Sequence, residues 1–528
     1  MTNQILAADG VTPLRNTIPQ RQNAVFRGAG AGFGGQLRDW NPQLQSVDDA
    51  LLPVLPQAQA RADDVIRNNG IAANGIQLHQ DHIIGSEYRL SYKPNWHLLG
   101  IKPDLGFVKD VEAVFRDIAE DPNCYIDAER KRTFTMMMRE SVATHAYSGD
   151  VMAKPEMIQD PHSPFATCIR MVAPKKVTNP SRMMDTNQFR AGVELNHLGQ
   201  AIAYHVEQGG NRFGIGREWR RVPKRLRNGR IGFIHVFEPI ESGQTRGVNK
   251  FLSSLEQIKM LDTLQNTTLQ KAIVNAMYAA SIESELGSEE AMQFLLGSGQ
   301  GGNNGNPLDT LLTGYGDYYA VNNVKLGGVK LPHLFPGDKI NIHSAGSADN
   351  GFADLEKSII RYIAAGLGLD YSQLSRNYSQ MSYSTIRAAM NDSWRYFMGR
   401  RKIIANRFAS LIFELLFEEM VIRKYITLPS KARYSFQQRR HAWTRCDWIG
   451  AGRMAIDGLK EVKEAVLLIE SGLSTYEEEA AKLGKDYQEL FAQQVRESDE
   501  RKAKGLPPPS YMKLDGFAPE QPEGQVNG

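Results

Sequence analysis

The chain has 528 residues, with 62 Lys and Arg against 59 Asp and Glu and a formal net charge of +3. That length supports a large core and several subdomains, and so even a charge balance excludes a polycation that grips nucleic acid by charge alone. Three widely spaced cysteines, Cys124, Cys168 and Cys446, offer neither a disulfide framework nor a CxxC metal knuckle and fit a reducing compartment. No basic-then-apolar leader opens the chain. The most apolar window, FASLIFELLFEEMVI, is broken by Glu414, Glu418 and Glu419. The expectation is a soluble, intracellularly made protein with no membrane span.

Residues 1–40 are rich in Asn, Gln and Gly. Gly30, Gly32 and Gly35 have dinucleotide-fingerprint spacing, but no strand precedes them and no helix follows, so the reading is a flexible tail. Helical periodicity runs from Asp48 to Ile84, with Gly85 as its C-cap. His79 and His82 lie near one face of that helix, as two metal ligands would, yet no third ligand is near, and structural or exposed histidines are expected. Two further helices are expected over 104–150, where Met136, Met137 and Met138 read as adaptable core packing.

Between Val151 and Pro239 the pattern turns to short strands, CIRMVAP, AGVELNHLGQAIAYHVEQ and GRIGFIHVFEP. The second reads as a hairpin with Asn196, His197 and Gly199 in its turn. The intervening NRFGIGREWRRVPKRLRNGR carries eight Arg and Lys, one Glu and Trp219. It is read either as a nucleic-acid patch or as a solvated loop that meets an acidic neighbour. A long polar helix is then expected from after Gly247 to near Gly287, with a thin stripe of Leu255, Ile258, Leu261, Leu269, Ile273 and Met277. Such a helix is a poor core element and a good partner for copies of itself. Residues 297–307 are a glycine-rich loop, and Val324 to His343 offers short strands.

The stretch from Gly351 to Thr427 organises the rest. Phe352 to Gly368 is a helix with Leu355, Ile359, Ile363 and Leu367 on one stripe. From Tyr371 to Thr385 the chain is polar and holds one charge, Arg376. A proline-free helix of about 57 Å is expected from Ile386 to about Arg423. Beyond it, Ser430 to Trp448 is basic and aromatic. Three short helices follow: Ala451 to Glu470, one capped by Ser474 with Glu477 and stopped at Gly484, and one capped by Asp486 and ending at Gly505. The tail after Tyr511 is disordered by composition.

Several long, collinear stretches carry a resemblance. They are GRIGFIHVFEPIESGQTRGVNKFLSSLEQIKMLDTLQN, LPHLFPGDKINIHSAGSADNGF, RYIAAGLGLDYSQLSRNYSQMSYST, FMGRRK and CDWIGAGRMAIDGLKEVKEAVLLIESGLSTYE. With them the chain resembles the portal proteins of lambda-like tailed bacteriophages over nearly its whole length. The resemblance implies a mainly helical α+β portal fold that assembles as a ring, usually a homododecamer, at one capsid vertex of the virion. Double-stranded DNA is packaged through such a ring by the terminase and later ejected. It implies a flexible tail over 1–40, a wing over 41–243, a stem helix over 244–286 and a clip over 287–345. It further implies a second stem helix over 346–370, a tunnel loop over 371–385, a long wing helix over 386–428, a crown over 429–505 and a disordered tail over 506–528.

The partners it implies are the chain itself, transiently bound DNA, the terminase large subunit, the major capsid and scaffold proteins and the head–tail connector proteins, with no membrane and with assembly in the host cytoplasm. The DNA-facing residues would be Ser375, Arg376, Asn377, Tyr378, Ser379, Gln380, Met381, Ser382 and Tyr383. No catalytic residue, metal or cofactor is expected: the chain has no GxxxxGK[ST] loop, no HExxH and no clustered carboxylates at helical spacing. The chemistry suits a conduit. Each neutralised phosphate adds affinity and therefore drag, whereas hydroxyls, amides and tyrosines make fleeting contacts, and no base-reading element is needed for a whole genome. The competing classes are an enzyme, which lacks a site, and a sequence-specific DNA-binding protein, whose only candidate element is 212–230.

Overall fold

The structure, a computed structural model, describes residues 42–209, 216–278, 323–326, 329–332, 349–379, 381–453 and 458–508. The glycines at 30, 32 and 35, the loop 297–307, most of 287–345, Gln380 and the tail after Tyr511 lie outside the described residues.

The periodic stretch 48–84 is three helices, α1 (Val47–Leu51), α2 (Leu55–Asn68) and α3 (Gly70–Ile83). Pro56 sits in the first turn of α2, where its missing N–H is harmless. Asn69 takes an extended conformation after α2, and its side chain accepts from the Ala72 N–H to start α3. Gly85, at φ 84°, closes α3. After strand β1 (Arg89–Tyr92) and the one-turn α4 (Trp96–Leu99) come α5 (Leu105–Ala119) and α6 (Phe134–Ser148), capped by Asp104 and Thr133. In α5 the residues Phe107, Val108, Val111, Phe115 and Ile118 are buried at helical spacing. Met137 and Met138 are core residues in α6, while Met136 faces outward.

Two small antiparallel sheets follow. β2 (Asp150–Met157) lies between β3 (Thr167–Val172) and β8 (Ile234–Phe237). The other sheet runs in the order β4 (Phe189–Arg190), β5 (Val193–Leu195), β6 (Ala201–Gly209), β7 (Arg217–Pro223). The β5–β6 hairpin has Asn196 and Gly199 in its turn, Gly199 at φ 77° and donating to the Asn196 carbonyl. The basic stretch 212–230 is therefore not simply a loop: β7 is an edge strand paired along its length with β6. Its cations do meet acids, since Arg221 makes three bonds to Glu194 and Arg217 pairs with Glu207.

The polar helix α7 (Leu255–Tyr278) begins later than the sequence suggests, after a single 3-10 turn at Leu252–Ser254. Residues 245–251 are instead a buried clasp. Asp150 accepts from the Gly247 N–H at 2.7 Å and from Arg246 Nε at 2.7 Å, and His235 closes on its other side at 2.9 Å. The remaining Arg246 nitrogens donate to the carbonyls of Val177, Ala191 and Pro174. Burial alone would raise the Asp150 carboxyl; Arg246 and His235 outweigh it and hold it at about 2. A Cβ on Gly247 would fall 2.0 Å from the Gly149 carbonyl oxygen, so only glycine permits the crossing.

After the hairpin β9 (Asn323–Leu326) and β10 (Val329–Pro332) comes α8 (Asp349–Leu367), then the five-residue α9 (Tyr371–Ser375). The long helix begins at Tyr383, three residues earlier than expected. It runs as α10 (Tyr383–Arg400), a π-turn over Arg401–Asn406, and α11 (Arg407–Ile422). Arg401, in the wide turn, buries its guanidinium against the carbonyls of Ile83, His82 and Ala451, which keeps the π-turn in place.

α11 is the hub of the core. Phe408, Ile412, Phe413, Leu416, Phe417 and Met420 are buried, with Phe413 against Phe115 and Tyr92. Its carboxylates are satisfied inside: Glu419 accepts from the Ala166 and Thr167 N–H groups, and Glu418 pairs with Arg440. No helix among the described residues is long and apolar enough to cross a membrane. α12 (Arg440–Thr444) and β11 (Cys446–Ile449) join this same core, because β11 pairs with β1 and Trp448 stacks on Tyr88. The last helices are α13 (Gly458–Glu470), α14 (Tyr476–Lys482) and α15 (Tyr487–Ala503). The cap of α14 is Thr475, not Ser474, whose hydroxyl bonds Glu478 and Glu479 instead.

Candidate functional site

The polar loop is shorter and better built than its composition implies. Of residues 371–385, the first five are α9 and the last three open α10, leaving 376–382 as loop. Both borders are helix caps. Asp370 and Gln373 form a capping box at the start of α9. Ser382 caps α10, its Oγ accepting from the Thr385 N–H and bonding the Thr385 hydroxyl at 2.8 Å. The Asp-Tyr-Ser-Gln spacing of a capping box was visible in the sequence and marks α9.

Within the loop, polar groups bond to one another. Asn377 Oδ1 accepts from the Ser379 N–H and hydroxyl, Ser375 Oγ donates to the Tyr371 carbonyl, and the Met381 N–H donates to the Tyr378 carbonyl. Tyr378 is 45% exposed and Met381 half-buried. Arg376 takes the left-handed conformation at the end of α9 (φ 54°), which turns the chain out of the helix. Its Nε donates to Asn74 Oδ1 at 2.9 Å. Thus the structure brings Ser375–Ser379, Met381 and Ser382 together on one exposed segment; Gln380 lies outside the described residues, and Tyr383 is the first residue of α10.

Underneath, the loop stands on a rigid floor. Leu374 is buried against α3, where Gly75 leaves room for Leu367 and Leu374: a Cβ there would meet their methyls at 2.9 and 3.5 Å. Ser393 of α10 donates to Gln373. α8 ends at Gly368, at φ 69°, with the Leu369 N–H reaching back to the Ala364 carbonyl and the ring of Tyr396 covering the glycine.

His79 Nε2 meets the Leu367 carbonyl at 3.0 Å, tying α3 to the end of α8. Burial, assisted by Arg400 and Lys250, pushes its pKa down to about 4, so the ring is neutral and donates. His82 stacks on Phe397 with ring centroids 4.8 Å apart. Both histidines are structural. Among the described residues no cluster of three His, Cys, Asp or Glu side chains could hold a metal.

The two helices leading away from this floor change character along their length. Near the core, Ile258 and Leu261 of α7 and Ile360, Ile363 and Leu367 of α8 are buried. Farther out Leu269 and Ile273 of α7 and Leu355 of α8 are at least half exposed. The two helices are bridged by Gln265 to Glu356, and α7 is bridged to Asn69 by Asp262. The outward stripe on α7 is present as read from the sequence, but within one subunit nothing among the described residues covers it.

Comparisons with known proteins bear on the whole of this architecture. Portal protein B of Escherichia phage lambda is 55% identical over 513 residues, spanning 96% of this chain and 94% of its own. The portal protein of Escherichia phage N15 is likewise 55% identical over 513 residues, 96% of this chain and 95% of its own. Among solved structures, the neck of a native GTA particle with C12 symmetry aligns with 80% of this chain and 93% of its own at 10% identity and a TM-score of 0.37. The neck of an empty particle with C6 symmetry aligns with 85% of this chain and 94% of its own at 10% identity and a TM-score of 0.40. Those two likenesses fall below the level at which a shared fold is inferred. The model of the phage portal protein, lambda family, matches residues 33–401. The chain belongs to the lambda family of phage portal proteins.

Proposed function

We propose that residues 376–382 are the DNA-facing constriction of the portal ring. The protein is a structural portal subunit, not an enzyme: it forms a ring at a capsid vertex, through which the genome is packaged. The observation that supports the constriction is the loop itself. It is exposed, pinned at both ends by helix caps, and carries one cation among side chains that bond mostly to each other. Such a surface keeps its shape without offering a dense array of charges to a sliding phosphate backbone.

In this reading α7 and α8 are the stem, their exposed outer halves packing on the stems of neighbouring copies in a dodecamer. Residues 287–345 are the clip, docking the terminase large subunit and then the connector. Helices α13–α15 belong to the crown inside the head, and the wing meets the major capsid and scaffold proteins. Assembly takes place in the host cytoplasm.

The test shortens the loop by replacing 377–381 with two glycines. Rings should form at the wild-type yield and packaging should begin, but the DNA length protected from nuclease in filled heads should fall. Full-length protected DNA at matched ring content would show the loop to be a connector only.

A further inference from the structure

We infer that Arg361 is a second phosphate-contacting residue, paired with Arg376 across α9, and that both guanidiniums are deliberately held by neutral partners. The inference rests on the DNA-facing reading of the loop. Arg376 is fixed through Nε alone by Asn74 Oδ1. Asn74 cannot swing away, because its own amide donates to the carbonyls of Gln373 at 3.3 Å and Leu374 at 2.8 Å. The two terminal nitrogens of Arg376 are left without a partner among the described residues.

Arg361 is exposed on α8, and its Cζ lies 5.5 Å from the ring centroid of Tyr371, the first residue of α9. Stacking engages the flat face of the guanidinium and leaves its in-plane N–H donors free. The two cations are therefore anchored at opposite ends of one five-residue helix. Neither has a carboxylate partner among the described residues, in contrast to Arg221 on Glu194, Arg440 on Glu418 and Arg246 on Asp150.

The difference in partner is what makes a site. A guanidinium paired with a carboxylate is neutralised; one held by an amide oxygen or an aromatic face keeps its full charge. It has also already lost much of its side-chain freedom, so less ordering is required when a phosphate arrives. The remaining donors are in the planar fork that matches phosphate oxygens. Repeated once per subunit, the pair makes a positive belt twice as dense as Arg376 alone would give, yet still sparse enough to let DNA move.

The experiment measures binding of linear double-stranded DNA to purified rings between about 50 and about 300 mM salt. Arg361→Gln and Arg376→Gln should each flatten the slope of log affinity against log salt by about 1, and the double variant by about 2. Each single variant should lower affinity about threefold at the low-salt end and be indistinguishable from wild type at high salt. Tyr371→Leu, which keeps the charge but removes its platform, should lower affinity with the slope unchanged.

A wild-type slope for Arg361→Gln beside a flattened one for Arg376→Gln would overturn the pairing and leave the loop reading standing. Wild-type slopes for both would overturn the loop reading too. Should Arg361→Gln subunits not close into rings, rings co-assembled with unaltered subunits give the same answer. The slope should then fall in proportion to the variant fraction, and a slope independent of that fraction would overturn the inference.

Discussion

The clasp around Asp150 and the loop from Arg376 to Ser382 are both polar, and they use polarity in opposite ways. In the clasp every group is dry and has a partner: Asp150 receives Arg246, His235 and the Gly247 N–H, and Arg246 reaches three carbonyls as well. In the loop the bonds are local, the side chains are wet, and the one cation is held by an amide. A charge removed from water must be matched by partners on all sides, which makes the clasp a single-conformation joint between β2, β8 and the approach to α7. A polar group left in water contributes little to folding and remains available for a passing ligand. The portal subunit needs both: a joint that transmits load from the stem to the wing, and a surface that gives way to nothing but binds nothing firmly.

Mutation should separate the two. The largest effect is expected at the clasp. Asp150→Ala leaves the Arg246 charge buried without its carboxylate and should destabilise the subunit by about 3–5 kcal/mol, read as a lowered urea midpoint and loss of rings by light scattering. A variant that kept wild-type stability would show that the clasp is not the joint described here.

Acidification should come next and tell the regions apart by pH window. His79 titrates at about 4 in the folded chain, below its ordinary value of 6.5. The unfolded chain takes up that proton first, so stability is full above about pH 6.5 and falls by roughly 3 kcal/mol as pH drops to about 4. His145, lowered to about 3 by burial, acts in the same direction. Asp150 has the opposite history, its folded value of about 2 lying below its ordinary 3.8, and its contribution is lost only as pH falls through that lower window. Urea denaturation across pH should therefore show two successive losses. His79→Gln should remove much of the first and leave the second, at the expense of some stability at neutral pH.

The loop should be nearly silent by the same assay. Replacing 377–381 with two glycines should change stability by less than about 1 kcal/mol, because little apolar area is involved, while shortening the DNA retained in filled heads. The smallest effect is expected from Arg376→Ala, visible mainly at low salt; Arg376→Glu should be worse, since it sets a ring of negative charge against phosphate. If Arg376→Ala instead unfolded the subunit, the contrast between dry joint and wet surface would fail.

How far the sequence could be read follows the same division. The loop's polarity, its single charge and the flanking helices were legible because they depend on neighbours in sequence. The start of the long helix was misplaced by three residues because Ser382 is one of several hydroxyl residues that could cap it. α9 escaped notice because five residues are too few to show periodicity. Strand β7 was hidden for another reason: its alternation is of Arg against Glu, Arg and Val, so neither face reads as apolar. The clasp was out of reach altogether, since Asp150 and Arg246 are 96 residues apart and nothing local announces the pairing. The same holds for His79, whose role depends on a carbonyl 288 residues away.

The π-turn at Arg401–Asn406 has a consequence for how this family can change length. A wide turn holds one residue more than an α-helical turn would, and in an α-helix each residue turns the axis by about 100°. Deleting one residue between 401 and 406 would therefore be accepted as regular helix, but it would rotate the loop-bearing half about its axis by that angle relative to α11. Phe397, Ser393 and Tyr396 would leave the floor beneath the loop and point elsewhere. The turn acts as a phase marker: insertions and deletions are tolerated on either side of it only in whole turns, and the orientation of the constriction is set by a count of residues in a helix whose far end is buried in the core.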